Sequence, residues 1–190
     1  MPEELGSPEP YEYTIRSKKG EEQYSFETAS GTPYICYFLN IPGFFDDYPS
    51  MEVDVVTFGL SLLRESKNFF VEKHDPRIKA TVFSILLSAI EVYPERPMLV
   101  MYDTQDGRQR SRKITFARWY NECCKLVSKK VTRITISGAS MSSADRFDMM
   151  MLVPNTCSEL EQIKITAMEI KDDLISKGYP PSLECRIECK

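Results

Sequence analysis

Apolar positions in the first third of the chain recur every second residue and are dense in aromatics, the pattern of half-buried strands. Tyr11, Tyr13 and Ile15 share one face, and Tyr24 and Phe26 follow the turn Lys18-Lys19-Gly20-Glu21. A second turn, Ala29-Ser30-Gly31-Thr32-Pro33, leads into Tyr34 to Leu39. These three segments predict an antiparallel meander. A loop holding Pro42, Gly43, Asp46, Asp47 and Pro49 precedes a fourth, longer strand over Val53 to Leu63.

The period changes at Asp75. That residue suits an N-cap, and Pro76 falls at the first helical position, where a missing N–H costs nothing. Ile78, Val82, Ile85, Leu86, Ala89, Ile90 and Tyr93 form one helical stripe, which Pro94 ends. Met98 to Tyr102 is apolar throughout, as a strand covered on both faces is. After the turn Thr104-Gln105-Asp106-Gly107 a second helix buries Phe116, Trp119, Tyr120, Cys123, Leu126 and Val127.

Val131 to Ser137 and Phe147 to Val153 predict two more strands, joined by the small residues of Gly138 to Asp145. Thr156 and Glu159 have capping-box spacing ahead of a third helix. Its stripe is Leu160, Ile163, Ala167, Ile170 and Leu174, and Gly178 serves as its C′ stop before Pro180-Pro181. The order is ββββ-α-β-α-ββ-α: an α+β fold on a mixed, mostly antiparallel sheet. Residues 1–10 read as a disordered lead-in, 11–178 as a single domain, and 179–190 as a short tail without a role.

Composition narrows the function classes. A chain of 190 residues with 42% hydrophobic content builds a core without disulfide or metal staples. The net charge of −4 works against global, charge-driven binding to nucleic acid or an anionic membrane. No run approaches the roughly 20 apolar residues that span a bilayer, and the acidic, proline-rich start is unlike a signal peptide. Cytoplasmic location follows as the expectation. Cys123 and Cys124 are adjacent, which suits neither a bridge between them nor a disulfide framework, so the 6 cysteines read as thiols. Cys185 and Cys189 have a metal-like spacing, but there is no second pair and His74 is the sole histidine. A four-ligand zinc site is not expected.

Polar chemistry concentrates at two helix starts, Asp75-Pro76-Arg77-Ile78 and Asp103 to Lys113. The second lies just past the carboxyl end of the apolar strand, where ligands settle in sheets flanked by helices. Helix starts offer free N–H groups to anions. Arg108 and Arg112, four apart, share a helix face and suit a phosphate or carboxylate clamp. The candidate anion- or partner-binding residues are therefore Asp75, Arg77, Asp103, Asp106, Arg108, Gln109 and Arg112. Each has a plainer reading as a cap, turn or surface ion pair. Asp103 and Asp106 could together hold a hard cation, but the arginines around them count against it. No nucleophile elbow and no Cys/His pair is present, so no catalytic residue is assigned. Trp119 and Met149-Met150-Met151 read as core before they read as binding surface.

Asp75-Pro76-Arg77-Ile78 with Thr81, then Asp103-x-x-Asp106-Gly107-Arg108-Gln109-x-x-Arg112, then Phe116-x-x-Trp119 resembles an uncharacterised family of small bacterial proteins. Pro154-Asn155 echoes that family's Asn–Pro element in reverse order, and Tyr102 stands where the family tends to have cysteine. The resemblance spans roughly Tyr11 to Leu174 and implies a shared fold without an assigned activity. The element order is also similar to the later part of the acyl-CoA-dependent N-acetyltransferase (GNAT) fold. That likeness implies a pyrophosphate at the helix start by Asp75, although Glu72 to Arg77 lacks the glycine loop of such enzymes.

Three functions follow as expectations. The first is a protein-interaction or regulatory module, such as an inhibitor, immunity factor or complex subunit, with another protein as partner and no cofactor. The second is a divergent acetyltransferase-like enzyme with a CoA-type ligand near Asp75, Arg108 and Arg112. The third is nucleic-acid binding through Arg108, Arg110, Arg112, Lys113 and Arg118.

Overall fold

The computed structural model describes residues 8–18, 21–48, 53–63, 75–100, 109–127, 130–138 and 147–188, without the side chains of 109, 110, 112, 123–127 and 147. The elements are β1 (Tyr13–Lys18), β2 (Glu21–Glu27), β3 (Pro33–Ile41), β4 (Val55–Leu62), α1 (Pro76–Val92) and β5 (Met98–Val100). They continue with α2 (Gln109–Val127), β6 (Val131–Gly138), β7 (Phe147–Pro154), α3 (Leu160–Ser176) and β8 (Glu184–Glu188). One sheet holds the strands in the order β1-β2-β3-β4-β5-β7-β6-β8. Among the described residues only β4 and β5 pair in parallel; the other pairs are antiparallel. The α+β fold expected from the sequence is present, with its antiparallel meander over β1 to β3 and β4 added antiparallel beside β3.

Strand alternation divides the core in two. Tyr24, Phe26, Cys36, Phe38, Val56, Phe58, Met98, Val100, Met150 and Leu152 face α1 and α2. Val55, Leu99, Ile134, Met151 and Val153 face α3 on the opposite side. The β5 residues serve both clusters, which is why the sequence there is apolar without alternation. Trp119 packs against the first cluster and Met149 against the second, in core roles.

The α1 start is as the sequence predicts. Asp75 Oδ1 accepts from the Arg77 backbone N–H at 2.8 Å, with Pro76 at the first helical position. The α3 stop also holds. Gly178 has φ 97°, its N–H reaches the Ile175 carbonyl, and the Tyr179 N–H reaches Leu174, completing a Schellman turn.

Two expectations need correction. Thr156 does not cap α3, because its hydroxyl donates to the Pro94 carbonyl at 3.1 Å; Glu159 is the N-cap and makes no side-chain cap bond. The tail is not idle, because residues 184–188 add β8 to the sheet beside β6. Arg133 of β6, only 9% exposed, anchors that strand: its guanidinium lies 4.5 Å from the Tyr120 ring centroid and donates to Glu188 at 2.5 Å. Leu183 closes on Gly138, where a Cβ would meet the Leu183 Cδ1 at 2.7 Å.

Among the described residues no helix is long and apolar enough to cross a membrane.

Candidate functional site

Asp75 and Arg77 do come together, and with them Tyr11 and Thr81. The Tyr11 hydroxyl donates to Asp75 Oδ2 at 2.6 Å and accepts from the Ala29 N–H at 3.1 Å. Burial, followed by that carboxylate, raises the Tyr11 pKa. The Arg77 guanidinium sits 3.9 Å from the Tyr11 ring centroid, and its Nε donates to the Glu9 carbonyl. Thr81 Oγ1 accepts from the Tyr11 backbone N–H at 2.8 Å and donates to the Arg77 carbonyl. The motif Asp75-x-Arg77 with Thr81 thus fastens residues 9–11 across the first turns of α1. Both Asp75 oxygens are occupied, and a carboxylate holds the helix start where the acetyltransferase likeness implies a pyrophosphate.

The second helix start is seen only in part. Asp103, Asp106 and Arg108 lie outside the described residues, as does His74. Gln109 and Arg112 fall in the first turn of α2. Further along α2, Lys113 pairs with Asp148 of β7, and the Arg118 Nε lies 3.8 Å from Glu122. Glu122 also takes Lys79 of α1 at 2.7 Å. These basic side chains therefore have acidic neighbours within the fold. Cys36, Cys157 and Cys185 are free thiols. No metal-holding group of His, Cys, Asp or Glu is found among the described residues.

A polar cluster that the sequence reading did not single out surrounds Glu22. This carboxylate is 8% exposed and accepts from the Tyr24 and Tyr93 hydroxyls at 2.7 Å each. Burial and Glu22 together raise the Tyr24 pKa, while at Tyr93 the Glu22 hydrogen bond is the larger cause. Arg96 lies 4.5 Å from the Tyr93 ring centroid. Next to it a groove of about 490 Å³ runs between the end of α1 and the start of α3, lined by Asp54, Glu95, Arg96 and Glu159 among others. Glu95 is held there by the Ser158 N–H and hydroxyl, at 2.7 and 3.0 Å. Only the alternation that buries Glu22 with Tyr24 and Phe26 could have signalled this cluster in the sequence.

The sheet has one further distinctive surface. On the side of β2 and β3 facing away from α1, Gln23, Ser25, Ile35, Tyr37 and Leu39 are exposed or half-buried. Among the described residues the α3 cluster reaches this side at Ile41, Phe44, Phe45, Tyr48, Val53 and Val55. No described helix covers the rest. Tyr37 pairs directly with Gly59 of β4, which lets the tyrosine ring settle onto the backbone.

Comparison with protein-family models, curated proteins and solved structures finds no match to this chain.

Proposed function

We propose that this chain is a protein-interaction or regulatory module that docks its partner on the open β2–β3 face. The observation that carries this reading is Tyr37 seated over Gly59, with Ile35 and Leu39 beside it on a sheet side no described helix covers. A tyrosine with a half-buried ring and a polar tip is a favoured interface anchor. The polar residues of β2 and Arg16 of β1, which faces Gln23, supply a rim around that apolar centre. Native mass spectrometry on the tagged protein from its source cell tests the reading. A second polypeptide at fixed stoichiometry is expected, lost in Tyr37→Lys and Ile35→Glu while both variants keep their folded spectra. Purification as a chain without any other polypeptide, or a partner retained by both variants, would overturn it.

Acyl transfer on an anionic ligand is the second reading, and the parallel β4–β5 pair favours it. In the chain β4 precedes α1 and β5 precedes α2, and the carboxyl ends of parallel strands followed by helices are where such sheets commonly place ligands. Against it stands the Asp75 carboxylate at the α1 start. Thermal unfolding with acyl-CoA separates the two readings. A rise in Tm that Arg108→Ala abolishes would favour the enzyme.

A further inference from the structure

No described strand pairs with the outer edge of β1, and its sequence is complementary to itself. Among the described residues β1 ends the sheet, with neighbours on the β2 side only. Thr14 to Lys18 are exposed on both faces, and Ile15 is 54% exposed at the centre of the strand. An edge like this leaves a row of backbone donors and acceptors without ladder partners, which is a template for another strand.

We infer that two copies of this chain pair antiparallel along β1, about a two-fold axis at Ile15. The register fixes every contact. Ile15 faces Ile15, Tyr13 faces Ser17, Thr14 faces Arg16, and Glu12 faces Lys18, each of the last three pairs occurring twice. The exposed isoleucine is buried against its copy, and on the opposite face two Glu12–Lys18 pairs join unlike charges. Cross-strand pairs of both kinds stabilise a sheet.

Neighbouring registers are worse. An axis at Arg16 sets two arginines side by side. An axis at Thr14 runs Lys18 onto Pro10, which has no N–H, and needs Tyr11, whose backbone N–H is already held by Thr81. The two-fold at Ile15 uses the whole of β1 and makes an isologous, closed dimer whose continuous sheet doubles the eight strands described in one chain. A single strand ladder is a small interface, so the dimer forms in the micromolar range or above. It does not depend on the docking face proposed for β2 and β3, which lies on the body of the sheet.

Sedimentation of the isolated chain over a wide concentration range, together with cysteine crosslinking, tests the inference. The mass is expected to rise towards two chains. Ile15→Lys is expected to keep the chain monomeric, with an unchanged circular dichroism spectrum because the residue is exposed. Lys18→Glu should weaken the dimer about tenfold, since it sets two acidic pairs across the ladder. Glu12→Lys combined with Lys18→Glu should restore it. Under mild oxidation Ile15→Cys should give a disulfide-linked dimer, and Ser17→Cys, which faces Tyr13, should not. A monomer at all concentrations would overturn the inference. So would a dimer indifferent to Ile15→Lys, or a double charge exchange that fails to restore pairing.

Discussion

Tyr37 occupies the space that a side chain at Gly59 would need: a Cβ there would lie 2.1 Å from the Tyr37 Cζ and 2.2 Å from its hydroxyl oxygen. The two residues are direct cross-strand partners, so neither can shift without disturbing the β3–β4 ladder. Gly59→Ala should therefore lift the ring off the sheet and cost about 1–3 kcal/mol, the range for overpacking a fitted contact. Chemical denaturation measures the loss. Adding Tyr37→Ser, which removes the obstruction, should recover part of it. Partner binding, if it uses this face, should fall in Gly59→Ala more than stability alone accounts for.

The Tyr11–Asp75 bond sets a second expectation. Asp75→Ala removes a cap and leaves the Tyr11 hydroxyl without its acceptor, for a loss of about 1–2 kcal/mol. Tyr11→Phe removes the same bond from the other side. Because the two share one interaction, their effects should not add, and a double-mutant cycle should give a coupling of at least about 0.5 kcal/mol. Additive losses would mean that Asp75 acts as a cap alone and that the residues before β1 are fastened by Thr81 and Arg77.

Much of this architecture was legible in the residues, and the reasons are physical. Period-two alternation identified β2 and β3, Asp75-Pro76 fixed the α1 start to the residue, and Gly178 fixed the α3 stop, because each rests on local chemistry. β8 was missed although Leu183, Cys185 and Ile187 alternate. Five residues after a Pro-Pro pair carry little weight until Arg133, fifty-five positions earlier, supplies the partner for Glu188. Thr156 misled for the matching reason: a carbonyl from the turn after α1 outcompeted the local cap. At the candidate site, residue types singled out Asp75 and Arg77 as anion- or partner-binding candidates at one helix start, where the structure shows a cap and a clamp on Tyr11. The use of both against Tyr11 depends on a contact sixty-four residues away.

Alkaline pH should destabilise the protein. Burial pushes the Cys36 thiol up to about 12 from its ordinary 9.0, and Tyr11, Tyr24 and Tyr93 are all raised above 10.0. A raised pKa means the folded state keeps a proton that the unfolded chain releases. Stability is therefore complete below about pH 9 and is lost progressively as pH rises from 9 towards 12. Each such group contributes a slope of up to about 1.4 kcal/mol per pH unit within its own window. Tm measured from pH 7 to 11 should be flat at first and then fall. Cys36→Ala costs stability at pH 7 but should shallow the decline that begins near pH 9. A Tm that rose with pH through this window would contradict the burial of these groups.

Arg133 is the residue on which the last strand depends. Its guanidinium lies between the Tyr120 ring of α2 and Glu188 of β8, so it links a helix to a strand that has the β6 ladder and α3-side contacts as its other support. Arg133→Ala removes the stacking and the ion pair together, and should cost about 2–3 kcal/mol. Glu188→Gln keeps a hydrogen-bond acceptor and should cost less than about 1 kcal/mol, since Glu188 is one-third exposed. Hydrogen exchange locates the effect. In Arg133→Ala the amides of 184–188 should lose protection first while those of β2 to β4 keep theirs, because β8 sits at the far edge of the sheet. Uniform loss of protection across all strands would instead make Arg133 part of the global core, with Tyr120 rather than Glu188 as the partner that matters.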